Sequence, residues 1–217
     1  MATRHPFLPT FSKLPTLLPV FPLPEAVLLP HANLPLTIFE PRYLNMVEDA
    51  MRSNQLIGMI QPSDNAEPPT LYAVGCAGRI THYVERQNGQ LEIVLTGTCR
   101  FKVAHEVDPV NGYRRVTPDW TEFADDIRSP ESDAIAADHL ALFRAALHRY
   151  LENNQMQADW QLLDKLSGES LMASLIGLLP LGTANKQMLL EAQNNTNRII
   201  AFTAILSAQD DEPKSRQ

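Results

Sequence analysis

Two cysteines, six histidines and a few adjacent acids are the side chains in this sequence that could carry chemistry. Cys76 and Cys99 would need a base to act as nucleophiles, and His82 or His105 could supply one in three dimensions. Both cysteines fall inside regular alternating segments, whereas nucleophiles usually occupy exposed turns, so buried structural thiols are the expectation. The histidines at 5, 31, 82, 105, 139 and 148 include no pair at H-x3-5-H spacing, and the cysteines form no C-x2-4-C pair, so no metal is expected. Ser12/Lys13 and Lys165/Ser167 are neighbours by chance, and no G-x-S-x-G elbow occurs. No G-x-x-x-x-G-K-[ST] run is present to cradle a nucleotide's phosphates, which excludes ATP binding through a P-loop. The paired acids Glu48/Asp49, Asp125/Asp126 and Asp210/Asp211 point different ways from adjacent positions and are expected to solvate a surface.

Charge narrows the partners. Lys+Arg 18 against Asp+Glu 25 gives a formal charge of −7 and a pI near 5.3, which disfavours nucleic-acid phosphates and anionic membranes. The basic residues of the first half include Arg79 and the adjacent pair Arg114-Arg115. Adjacent residues alternate across a strand, so Arg114 and Arg115 cannot form one patch.

The chain of 217 residues, 44% hydrophobic, is long enough for one large domain or two small ones. Pro 17 against Gly 9 is an unusual balance. Residues 1–15, broken by prolines, read as a flexible arm with neither a spanning segment nor a secretory signal, and two cysteines suit the cytoplasm. Residues 16–120 read as β-rich. Leu34–Phe39 is a strand, and Glu40-Pro41 opens a helix with Pro at its first position. Tyr43, Met46, Val47, Ala50 and Met51 then share one face.

Leu56–Gln61 follows as a strand, and residues 62–70 as a polar loop. Three further strands come in series: Ala73–Arg86, a return strand after the Asn88-Gly89 hairpin signal, and residues 99–107 after a break at Thr96-Gly97. In the last of these, Phe101, Val103 and Val107 face one way and Arg100, Lys102 and Glu106 the other. Tyr113–Thr117 closes the series.

Residues 121–132 read as a linker and 133–207 as a helical bundle. A helix capped near Ser129-Pro130-Glu131 buries Ile135, His139, Leu142, Phe143, Ala146, Leu147 and Tyr150. A second runs from Ser167 to Leu179, and a third from Thr183 carries Leu189, Ala192, Thr196, Ile199, Ile200 and Thr203. Residues 208–217 form a charged tail.

The segment Leu18–Ala50, with I-F-E-P-R-Y at Ile38–Tyr43, strongly resembles the N-terminal substrate-binding domain of the Lon protease family. Further matches follow in order: Leu56–Pro62, Gly75–Ile80, Leu95-Thr-Gly97 with Arg100-Phe101, and Lys186-Gln187 through Glu191. The likeness covers roughly residues 17–207. It implies an α+β fold: a PUA-like β pseudo-barrel with one embedded helix, then a C-terminal helical bundle. In the whole protease this region helps recognise polypeptides. The ATPase and Ser-Lys peptidase modules of that enzyme have no counterpart in these residues, so neither catalytic role can be inherited.

The expectation is therefore a stand-alone, non-enzymatic module that binds a polypeptide or protein partner: unfolded chains, a protease or a chaperone. It would need no cofactor, and could act as an adaptor or regulator in protein quality control. Glu40, Arg42 and Tyr43, near Arg79, would form a polar rim beside an apolar groove. Leu28, Leu29 and Leu34 would supply exposed apolar contact. Two rivals remain: an RNA- or small-ligand-binding protein using the PUA-like cleft, and a small hydrolase with an unrecognised Cys-His or acid site.

Overall fold

Strand-forming residues dominate the first half, and in a computed structural model they make six strands: β1 (Leu18–Pro22), β2 (Asn33–Ile38), β3 (Leu56–Ile60), β4 (Val74–Glu85), β5 (Leu91–Val110) and β6 (Tyr113–Asp119). The described residues are 9–127 and 135–211, with side chains through 208. The chain divides into two compact units, Met1–Ser129 and Pro130–Gln217. The strand order is β2-β5-β4-β3-β1-β6, and β6 pairs again with β5, so the sheet curls into a partial ring.

One long strand makes that curl possible. The first half of β5 pairs antiparallel with β2, from Asn33↔Thr96 to Ile38↔Leu91. Its second half pairs with β6, from Lys102↔Asp119 to Val110↔Tyr113. The break expected at Thr96-Gly97 is instead a bulge inside one strand of 20 residues. Ala77 pairs with Cys99 and Gly78 with Gly97, leaving Thr98 as the extra residue, and its hydroxyl donates to the Ala77 carbonyl at 2.9 Å. A bulge bends and twists a strand without ending it.

The embedded helix α1 (Pro41–Met51) connects β2 to β3, and β3 then runs parallel to β1. Proline at its first position costs no hydrogen bond, and the buried residues Tyr43, Met46, Val47 and Ala50 recur at helical spacing. Met51, expected on the same face, is 36% exposed. Apolar side chains of β1, β3, β4, β5 and β6 fill the interior, with Leu18, Val20, Ile57, Cys76, Phe101 and Val116 fully enclosed.

Two stretches read as arm and linker carry short turns. In the expected arm, Phe11–Lys13 forms a single 3-10 turn and the Trp120 indole N–H donates to the Pro15 carbonyl at 3.0 Å. Residues 1–8 lie outside the described residues. In the expected linker, Thr121–Ile127 forms two short 3-10 turns with Phe123 buried. The expected helix start at 129–131 also lies outside the described residues.

Arg100 and Asp126 hold those 3-10 turns in place. Arg100, on the face opposite Phe101, Val103 and Val107, is 4% exposed. Its guanidinium meets the Asp126 carboxylate in a fork, Nε to Oδ2 at 2.9 Å and NH2 to Oδ1 at 2.8 Å, and lies over the Phe123 ring. Asp126, half of an acid pair expected merely to solvate, also accepts the Arg100 main-chain N–H. A buried guanidinium requires such a partner.

The second unit contains α2 (Ala137–Asn153), α3 (Trp160–Leu163), α4 (Gly168–Leu178), α5 (Thr183–Glu191) and α6 (Asn195–Asp211). Phe143 of α2 packs on Phe202 of α6 with ring centroids 5.0 Å apart. Leu142, assigned to the buried stripe, is 62% exposed. Ser167 caps α4 by accepting the Ser170 N–H, as its position suggests. The third expected helix is two, because Asn194 caps a new start by accepting the Asn197 N–H at 2.8 Å. Arg198 then satisfies carbonyls left at the end of α5, donating to Leu189 at 2.9 Å and Ala192 at 3.4 Å. The expected tail begins inside α6, which continues to Asp211.

Candidate functional site

The start of α1 builds one side of a groove. Glu40 precedes the helix in an extended conformation and makes no side-chain cap. Its carboxylate instead accepts from Arg42 Nε at 2.9 Å. The Arg42 guanidinium lies over the Tyr43 ring, 4.6 Å from its centroid. Tyr43 is 6% exposed and packs against Phe21 of β1, ring centroids 4.0 Å apart. Burial pushes the Tyr43 hydroxyl above the usual tyrosine range, with Arg42 opposing that shift.

The β5–β6 hairpin tip is fastened to the same helix. Asn111 and Gly112 both have positive φ, 48° and 85°, which a tight two-residue turn demands and which Asn-Gly supplies cheaply. A side chain at Gly112 would meet Arg42 Cβ at 3.1 Å, so the turn passes close to the helix. Asn45 donates to the Asn111 carbonyl at 3.1 Å. Asp49 accepts from Asn111 Nδ2 at 3.0 Å and from the Tyr113 hydroxyl at 2.9 Å. Burial and that bond to a carboxylate push Tyr113 up to about 12.

The polar loop of residues 62–70 forms the opposite side. Asp64 Oδ1 accepts the main-chain N–H groups of Ala66 at 3.0 Å and Thr70 at 2.9 Å. Those bonds to the ionised form, Thr70 foremost, hold the Asp64 carboxyl below its ordinary value. Arg114 ties the loop to β6. Its Nε and NH2 grip Glu106 at 2.5 and 2.6 Å, while NH1 donates to the Pro69 carbonyl at 2.7 Å.

Between helix, hairpin and loop lies a groove of about 690 Å³, walled by Pro22, Pro24, Pro62, Pro68 and Pro69 together with Tyr43, Tyr113, Arg42 and Arg114. That volume is within the range of roughly 300–1,000 Å³ typical of ligand sites. Proline has no main-chain N–H, so these walls offer apolar rings and carbonyl acceptors.

Of the residues singled out from sequence, Arg42 and Tyr43 line this groove, and Glu40 joins them through its bond to Arg42. Arg79 does not join them. It donates to Gln55 Oε1 at 2.7 Å, beyond the far end of α1, a helix about 16 Å long at 1.5 Å per residue. Leu28 and Leu29 are not exposed contacts: they are 1% and 5% exposed, because glycines admit their connection onto the sheet. A side chain at Gly78 would meet Leu28 Cδ2 at 2.6 Å, and one at Gly97 would meet the Leu29 carbonyl oxygen at 2.0 Å. Leu34 is half-buried on β2, opposite Leu95.

The prolines, Tyr113 and Arg114 were missed. Their signal was the clustering of proline at 22–24 and 68–69, which marks walls as well as turns. The thiols behave as buried residues. Cys76 and Cys99 are fully enclosed, and burial pushes both well above the ordinary thiol range, the reverse of what a nucleophile needs. Among the described residues, no group of three or more His, Cys, Asp or Glu side chains is placed to hold a metal ion. No described helix is long and apolar enough to cross a membrane.

A family model described as the ATP-dependent protease La (LON) substrate-binding domain matches residues 17–208. Lon protease 2 of Bdellovibrio bacteriovorus is 24% identical over 207 residues, covering 91% of this chain and 25% of that protein. Lon protease of Anaeromyxobacter dehalogenans is 26% identical over 195 residues, covering 88% and 23%. The chain thus spans about a quarter of the length of these curated relatives. Among solved structures, the Lon N-terminal domain protein from Xanthomonas campestris superposes with a TM-score of 0.62 at 28% identity, covering 87% of this chain and 98% of that one. The N-terminal domain of Mycobacterium avium complex Lon protease gives 0.62 at 17% identity, covering 91% and 100%, a likeness of fold. The chain belongs to the Lon substrate-binding domain family.

Proposed function

We propose that this chain is a non-enzymatic polypeptide-binding module of the cytoplasm, acting in protein quality control as an adaptor or regulator. The observation that carries this reading is the proline- and tyrosine-walled groove at the E-P-R-Y corner, in a chain whose family is described by substrate binding. Rigid apolar rings beside peptide carbonyls and a few hydrogen-bond donors suit an extended chain better than a compact polar metabolite. Glu40, Arg42 and Tyr43 belong to the contact surface in this reading. Leu28 and Leu29 pack on β4 and β5, Arg79 bonds to Gln55, and Leu34 lies on β2, so none of the four belongs to the contact surface.

The test is equilibrium binding of fluorescently labelled, reduced and carboxymethylated α-lactalbumin, a permanently unfolded chain. Saturable binding to the full-length protein, weakened by Arg42→Ala but not by Leu162→Ala on the helical unit, is the expected result. Absence of binding, or equal binding by both variants, would remove the groove from the account. The adaptor role is tested separately, by identifying what co-purifies from lysate with wild type and is lost with Arg42→Ala. A protease, a chaperone or unfolded clients are expected.

A further inference from the structure

Tyr43 presents an unusual combination. The residue is 6% exposed and lines the groove, yet its hydroxyl makes no hydrogen bond with any described residue. The oxygen is not sealed in the core, so it meets the open volume. The ring itself is occupied, with Phe21 and the Arg42 guanidinium as neighbours. Tyr113, the other tyrosine of the groove, has already spent its proton on Asp49. A hydroxyl that opens on a groove and makes no bond to the described protein is held by water there, and can exchange that water for an atom of a bound ligand.

The walls constrain that occupant. Prolines contribute carbonyl acceptors without donors, so a ligand that bonds to these walls does so through donors, and an acceptor on it suits the hydroxyl. The peptide bond carries both, one N–H and one C=O per residue. Charge adds little selection. Arg42 is matched by Glu40 and Arg114 by Glu106, while Asp64 and Glu67 stand on the loop side.

Resting on the polypeptide-binding reading, we infer that the Tyr43 hydroxyl reads the main chain of the bound segment, donating a hydrogen bond to one of its backbone carbonyls. Recognition is then tolerant of side-chain sequence and insensitive to salt. Tyr43 is a specificity-determining residue that separates extended chain from apolar surface in general. Its proton stays available through neutral and mildly alkaline pH, since burial raises the hydroxyl's pKa.

Tyr43→Phe removes the oxygen and keeps the ring against Phe21 and Arg42. Because the hydroxyl has no described partner to lose, the urea midpoint of unfolding stays at the wild-type value. Affinity for labelled, reduced and carboxymethylated α-lactalbumin falls roughly fivefold to tenfold, the worth of one hydrogen bond. Unchanged affinity overturns the inference and leaves the polypeptide-binding reading standing. A lowered midpoint alongside lost affinity also overturns it, by showing that the hydroxyl serves the fold. If wild type itself fails to bind, the broader reading falls and this one with it.

Discussion

The carbonyl oxygen of Leu29 lies 2.0 Å from the point where a Cβ on Gly97 would stand. No side chain can share that space, so the connection between β1 and β2 is seated on the sheet by the absence of an atom. Two bonds secure the contact, from His31 N–H to the Gly97 carbonyl at 3.0 Å and from Gly97 N–H to the Ala32 carbonyl at 2.8 Å.

Gly97→Ala must therefore lift the connection off β5 or shift β5 itself. Both partners are backbone, which cannot swing aside as a side-chain end can. The expected loss is about 3 kcal/mol, the upper part of the range for overpacking. Urea unfolding would show it as a lower midpoint at constant slope.

Breaking the Arg100–Asp126 fork should be as damaging for a different reason. Asp126→Ala leaves a 4%-exposed guanidinium without its carboxylate and removes the acceptor of the Arg100 main-chain N–H. A loss of roughly 3–5 kcal/mol is expected for one partner of a buried pair. The double change Arg100→Met with Asp126→Leu removes both charges and should recover much of it. A double change no more stable than Asp126→Ala would show that packing, not charge, holds the turns.

These two sites mark what the sequence can and cannot disclose. Apolar patterning located β2, β3, β4, β6, α1 and α4, while β5 was read as two strands because a bulge looks locally like a break. Arg100 escaped because alternation reports which face a residue occupies, not what covers that face; here the covering element, Thr121–Ile127, comes some twenty residues later. Leu28 and Leu29 were misplaced for a related reason. Prolines around them suggested a surface connection, while the glycines that bury them sit on β4 and β5. At the groove, Glu40, Arg42 and Tyr43 were legible as a local word. Their partners on the 62–70 loop and β6 are brought in by tertiary contacts that no local spacing encodes. The division between α5 and α6 could have been read, since Asn194 is a strong cap four residues before the buried Arg198.

Tyr113 supplies a pH test. Its pKa is raised in the folded chain, up to about 12, against an unfolded value of 10.0. The folded state therefore holds the proton more tightly, so the contribution is complete below pH 10 and disappears as pH rises from 10 to 12. The amount is on the order of 2 kcal/mol. Tyr113→Phe should flatten the fall in stability across that window. It should also remove one late-titrating phenol from the ultraviolet absorbance titration. An unchanged slope would place the pH dependence elsewhere.

Arg114 gives the last prediction, which concerns the groove's shape. Its guanidinium spans two walls at once, gripping Glu106 on β5 and donating to the Pro69 carbonyl on the loop. An ammonium is a point charge and cannot reproduce that fork, so Arg114→Lys should keep one tie and lose the other. The loop then has less to hold it against β6, and the amides of Ala66 and Thr70, both bonded to Asp64, should exchange with solvent faster. Arg114→Ala should exceed that effect. If the groove receives an extended chain, affinity for the unfolded probe falls about fivefold in the lysine variant, the equivalent of one hydrogen bond. Faster exchange without weaker binding would mean that the loop wall is not part of the contact, and would leave α1 and the hairpin tip as its whole.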